Sequence, residues 1–146
     1  MAGKAVISLT TGLEDPEKVT VAFLVAVGAA ESERPTLMFL TKEAVRLALD
    51  GVGVGVACEG CPPLADLIKR YEAAGGRYYV CPICFNSRHL DTATLIAGAE
   101  LQGTLPLWQW IGDEGAGPAI TIDSRRWPLG AVRPRAPTSR PEAQTR

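Results

Sequence analysis

Between Cys61 and Cys84 the chain reads CPPLADLIKRYEAAGGRYYVCPIC. Two prolines open the segment, and Leu64, Leu67, Ile68 and Tyr71 then recur at the i, i+3, i+4, i+7 spacing of one helix face. Gly75-Gly76 supplies the stop, because glycine takes the left-handed backbone that ends helices without steric cost. Arg77 to Cys81 follows as a short strand. A helix feeding a strand through a two-glycine turn is half of a βαβ unit, and it sets the reading of what lies on either side.

Towards the N-terminus the same alternation holds. Ala5 to Leu9 reads as a buried strand that runs into a Thr10-Thr11-Gly12 loop. Asp15 is placed to cap a helix over 16–30, with Pro16 at its first position and Glu17 in its first turn. That helix is apolar nearly all round, as suits burial between a sheet and a neighbouring helix or subunit. Pro35 to Leu40 is a second strand, and Thr41 caps a short helix ending at Asp50-Gly51. Gly51 to Gly60 alternates glycine with other residues and reads as loop or weak strand. Towards the C-terminus, Asp91 caps a helix over 92–102 that ends at Gly103. Leu107 to Ile111 and Ala119 to Ile122 read as final strands, with Trp108 and Trp110 sharing one face, under a helix or at a subunit contact. No internal repeat is visible. Strands and helices alternating through short loops predict an α/β fold with a mostly parallel sheet covered on both faces. Chemistry in such sheets lies beyond the carboxyl ends of the strands.

The chain has 146 residues, 47% hydrophobic and 21% charged, enough for one core without disulfides or metal. Its longest apolar run, Val19 to Ala30, is interrupted by Thr20 and Gly28 and is too short for a bilayer, so no transmembrane helix is indicated. The opening MAGKAVISL lacks the three-part build of a signal peptide, and the expected location is the cytoplasm. Charge divides the chain in two. From Ser124 onward there are six arginines against one acid, Glu142, which leaves residues 1–123 with a net charge of −6. A body that acidic repels phosphate backbones and argues against nucleic-acid binding. The expected organisation is an α/β domain over 1–123 and a basic, proline-containing tail over 124–146 that reads as solvated and disordered. No glycine run completes a nucleotide fingerprint, and no cofactor is expected.

The chemistry-bearing residues are Cys58, Cys61, Cys81 and Cys84, arranged as C-E-G-C and C-P-I-C. A helix of about twelve residues rises roughly 18 Å and a five-residue strand spans about 16 Å, so the chain leaving Cys61 returns at Cys81 to the same sheet edge. Four outcomes fit such a pair of pairs. The cysteines could close a zinc site of all four thiolates. They could form a redox dithiol between strand and helix, with Leu105-Pro106 or Gly117-Pro118 as a cis-proline opposite. They could pack as small hydrophobes. Or Cys81 could be a nucleophilic thiolate, aided by a following helical turn and by the positive charge of Arg88. His89, the only histidine, fits a solvated surface better than a catalytic role.

The run GCPPLADLIKRYEAAGGRYYVCPICFNSRHLDTATLIAGAEL, residues 60–101, resembles the DsrE/DsrF-like family of small sulfur-handling proteins. The likeness extends through Lys4 to Ala30 and Pro35 to Thr41 and covers most of residues 4–122; the G-C-P-P-L element and V-C-P-I-C-F carry its specificity. It implies a three-layer α/β/α sandwich with a mostly parallel five-stranded sheet, assembled as a homotrimer or hexamer. By position the family's persulfide-bearing cysteine matches Cys81, while Cys61 and Cys84 match cysteines of one branch, some of whose members are called peroxiredoxin-like. Cys58 stands outside the pattern. The resemblance thus implies a sulfur carrier or sulfurtransferase using Cys81, with Cys84 or Cys61 as helper thiols, Arg88 near the substrate, and proteins that donate and accept sulfur as partners. Against it stand a non-catalytic oligomeric or regulatory protein with structural or zinc-bound cysteines, and a thiol-disulfide oxidoreductase or peroxiredoxin-like protein.

Overall fold

A computed structural model describes residues 3–112 and the backbone of the strand Ala119–Ile122. The tail 124–146 and the Gly117-Pro118 bond lie outside the described residues. Strands β1 (Ala5–Leu9), β2 (Thr36–Leu40), β3 (Arg77–Val80) and β4 (Ala99–Leu101) form a sheet in the order β4-β3-β2-β1, and β5 (Ala119–Ile122) adds along the free edge of β1. Every pairing is parallel. The fold is α/β, with helices on both faces of the sheet.

Side chains alternate across a strand, and the core divides accordingly. Ile7, Leu9, Met38, Leu40, Tyr78 and Val80 face one side, where they meet helices α1 (Pro16–Glu31) and α2 (Leu64–Ala73). Val6, Leu37, Phe39 and Tyr79 face the other, against Leu107, Trp110 and Ile111 of helix α4 (Thr104–Ile111). β2 is buried along its whole length, as a central parallel strand must be.

Helix α1 begins where the sequence places it: the Asp15 carboxylate accepts from the Lys18 amide at 3.1 Å, and Pro16 occupies the first turn. Val19, Ala22, Phe23, Ala26, Val27 and Ala30 face the core, while Val21 and Leu24 stay exposed. Helix α2 buries Leu64, Leu67 and Tyr71, and Arg70 grips Glu31 at the end of α1 through two hydrogen bonds of 3.0 and 2.9 Å. The turn after α2 fits only glycine. Gly75 has φ +85°, and a Cβ on Gly76 would lie 2.3 Å from the Tyr71 ring. Tyr71 in turn shares its hydroxyl proton between the carbonyls of Arg77 (2.6 Å) and Thr36 (3.2 Å), tying helix to strands.

Three elements differ from the sequence reading. The segment after Thr41 is a 3₁₀ helix, Lys42–Ala48, and the Thr41 side chain makes no capping bond. The helix expected over 92–102 is only a 3₁₀ turn, Thr92–Thr94, followed by strand β4. Asp91 does cap that turn, accepting from Ala93 at 2.9 Å. The chain then finds better partners across space: Asp50 donates to Thr94 and Ile96 to Ala48, at 2.7 and 2.8 Å, and Gly98 turns the backbone at φ +81°. The strand expected over 107–111 is helix α4 instead. Its apolar residues fit either period, and burial of Leu107 with Trp110 and Ile111 on one face selects the helix. Trp108 consequently points away from Trp110 and is 66% exposed.

Candidate functional site

Leu9, Leu40, Val80 and Leu101 stand in register at the carboxyl edge of the sheet. Beyond them the ladder runs one step further. Thr41 donates to the Leu9 carbonyl at 3.0 Å, Cys81 to Leu40 at 2.9 Å and Gln102 to Val80 at 3.1 Å. Neighbouring strands lie about 4.8 Å apart, so Thr41 and Cys81 are side by side and Thr10 is one strand further on. The fold therefore carries Cys81 to the edge where α/β sites form.

Cys81 is also the N-cap residue of helix α3 (Pro82–Ser87). Phe85, fully buried, anchors this short helix and donates to the Cys81 carbonyl at 3.0 Å. Pro82 has no amide proton, and the first-turn amides of Ile83 and Cys84 have no intrahelical acceptor; the Cys81 side chain makes no capping bond to them. Cys81 and Cys84 carry free thiols, each half-buried and packed against the main core. Their spacing of three residues on a helical turn makes them neighbours on one face of α3.

Arg88 closes α3 rather than pointing into open solvent. Its Nε donates to Glu43 at 2.7 Å and its Nη1 to the Cys84 carbonyl at 3.1 Å, while Glu43 also accepts from Arg46 at 2.9 Å. The Arg88 hydrogen bond, followed by that of Arg46, holds the Glu43 carboxyl below its ordinary value. Glu43 follows β2, and its carbonyl approaches the loop after β1 so closely that a Cβ on Gly12 would meet it at 2.7 Å. In that loop Thr11 is fully buried, and the hydroxyls of Thr10 and Thr11 find no hydrogen-bond partner among the described residues. His89 is exposed with φ +54°, as expected of a turn residue.

The other cysteine pair is built differently. Cys58 and Cys61 are joined as a disulfide across the loop before α2, with Cα atoms 5.1 Å apart. The four sulfurs are thus not gathered into one tetrahedral site, and among the described residues no three His, Cys, Asp or Glu side chains are placed to hold a metal ion. Cys61 is consequently not a free helper thiol in this state. The cis-proline that the redox-dithiol reading would need is absent at Leu105-Pro106, since no described peptide bond is cis and Pro106 lies inside α4. A cleft of about 190 Å³ between α2 and the 49–54 loop, lined by Leu47, Val54, Ile68 and Ile96, includes none of the cysteines. No described helix is long and apolar enough to cross a membrane.

The model of the DsrE/DsrF-like family matches residues 3–116. The chain belongs to the DsrE/DsrF-like family. It is 30% identical over 94 residues to the uncharacterized protein MJ0760 of Methanocaldococcus jannaschii, a match covering 64% of this chain and 34% of that relative. The chain thus spans about a third of the length of that relative. Among solved structures it resembles the ychN protein of E. coli, with a TM-score of 0.68 at 23% identity, over 82% of this chain and 99% of the other. That likeness shows a shared fold.

In this DsrE/DsrF-like chain the residues around Cys81 that sequence reasoning passed over are Thr10, Thr11, Thr41 and Glu43. The threonines carried a signal, since they follow β1 and β2 where parallel sheets place their sites. Glu43 carried none. Its partner Arg88 lies 45 residues away, and only the packing of α3 on the 3₁₀ segment brings them together.

Proposed function

We propose that this DsrE/DsrF-like protein is a persulfide carrier in which Cys81 takes up sulfane sulfur and Cys84 is the helper thiol. The observation that carries the reading is the position of Cys81: a free, half-buried thiol at the carboxyl edge of β3 and the N-cap of α3. Family membership, associated with sulfur relay, supports it. In loading, the Cys81 thiolate attacks the outer sulfur of a donor persulfide. The donor's S–S bond breaks, its thiolate leaves, and Cys81 carries the S–SH group. Delivery reverses these steps on an acceptor thiolate. Alternatively the Cys84 thiolate attacks Cys81 Sγ, forms the Cys81–Cys84 disulfide and expels hydrosulfide, after which a dithiol reductant restores both thiols. Arg88, held by Glu43, acts as a positioning residue that braces α3.

This reading keeps the expected cytoplasmic location, donor and acceptor proteins as partners, and a homotrimer or hexamer. A second reading, a non-catalytic interaction protein, draws support from Leu105 and Trp108, which leave α4 69% and 66% exposed. Intact mass before and after incubation with a small persulfide donor separates the two. The carrier gains one sulfur, lost on reduction and mapped to Cys81, and Cys81→Ser does not load. Loading that persists in Cys81→Ser overturns the assignment, and a wild-type protein that refuses sulfur favours the second reading.

A further inference from the structure

Four cysteines lie in two C-x-x-C pairs, the second at the end of β3 and the first in the loop that leads into α2. The first occupies a turn. Cys61 donates its amide to the Cys58 carbonyl at 3.0 Å, and Gly60 between them has φ +76°, as the third position of a type II turn requires. A second backbone bond brackets the turn, from Leu64 at the start of α2 to the Val56 carbonyl at 2.9 Å. These bonds hold the two α-carbons 5.1 Å apart, inside the disulfide range, and neither of them involves a sulfur. Opening and closing the disulfide therefore requires no rearrangement of the fold. Both cysteines are only half-buried, and neither packs against the hydrophobic core that holds Cys81 and Cys84. An incoming thiolate can reach the sulfurs.

We propose that Cys58–Cys61 is a second thiol site, a redox-active disulfide that exchanges with dithiols independently of Cys81. A thiolate of the dithiol attacks one sulfur of the pair, the Cys58–Cys61 bond breaks, and a mixed disulfide forms as the other cysteine leaves as thiolate. The second thiol of the dithiol then attacks the mixed disulfide, releases the remaining cysteine and closes its own disulfide. Two electrons and two protons pass from the dithiol to the pair. Access to the sulfurs and a ring of only four residues place this bond among the exchangeable disulfides rather than the structural ones.

The test uses the full chain with Cys81→Ser and Cys84→Ser, so that only one pair can titrate. The protein is equilibrated in glutathione buffers of graded poise, alkylated, and weighed intact, with circular dichroism recorded alongside. A reversible two-electron transition in a chain that stays folded is expected, with full reduction by millimolar dithiothreitol. A pair that yields to reductant only in denaturant is structural and overturns the proposal. So does a pair that never oxidises at any poise. Persulfide loading in Cys58→Ser/Cys61→Ser reports on Cys81 separately, so failure of one site leaves the other standing.

Discussion

The two C-x-x-C pairs have the same spacing and opposite surroundings. Cys81 and Cys84 sit on the first turn of α3, against the core, with free thiols and a brace of Arg88 and Glu43 behind them. Cys58 and Cys61 sit on a glycine-bearing turn outside the core and are joined to each other. The spacing of two cysteines decides only that they can meet. What they do is set by the element that carries them: a strand end delivers a thiol to the sheet edge, whereas a turn before a helix holds its sulfurs in reach of solvent and of one another.

Removing one thiol from each pair breaks the comparison most sharply. Cys81→Ser should abolish sulfur loading, while Cys61→Ser leaves it intact, as intact-mass measurement after exposure to a persulfide donor will show. Equal loss in both variants would mean that the pairs work as one unit.

The next largest effect falls on the unit linking the pairs. Gly76→Ala drives a Cβ into the Tyr71 ring and should cost about 2–3 kcal/mol, read from urea unfolding. Reducing the Cys58–Cys61 bond should cost less. A four-residue ring restricts the unfolded chain little, so Cys58→Ser/Cys61→Ser is expected to lower stability by about 2 kcal/mol at most.

The smallest effect concerns the brace, which only the Cys81 side possesses. Glu43 is 42% exposed, so solvent screens its pairing with Arg88, and Glu43→Gln should cost about 0.5 kcal/mol at neutral pH. The Glu43 carboxyl titrates below its ordinary value of 4.5 in the folded chain. The stabilisation is therefore present above that value and is lost as the pH falls from 4.5 through the lower folded value. Unfolding curves of wild type and variant should converge on acidification over that range.

Much of this was legible in the chain itself. Asp15-Pro16 and the glycines after α2 state a helix start and a helix stop in local chemistry, and the apolar strands β1 to β3 follow from pattern. The misread segments, 92–102 and 107–111, are those where local signals are evenly matched. Asp91 caps a turn there, but the backbone of 94–96 bonds to Ala48 and Asp50, contacts that no local pattern contains. At α4 the alternating tryptophans mimic a strand until Leu107 is set against the second face of the sheet.

The sequence by itself determined the family, the parallel α/β plan and the delivery of Cys81 to a strand end, because these rest on periodicity, caps and a specific run of residues. Only the tertiary structure decided that the four cysteines divide two and two, and that Arg88 is held by Glu43 from another element. The reason is physical: a cysteine's state and an arginine's partner depend on groups brought close by packing, and their separation along the chain carries no record of it.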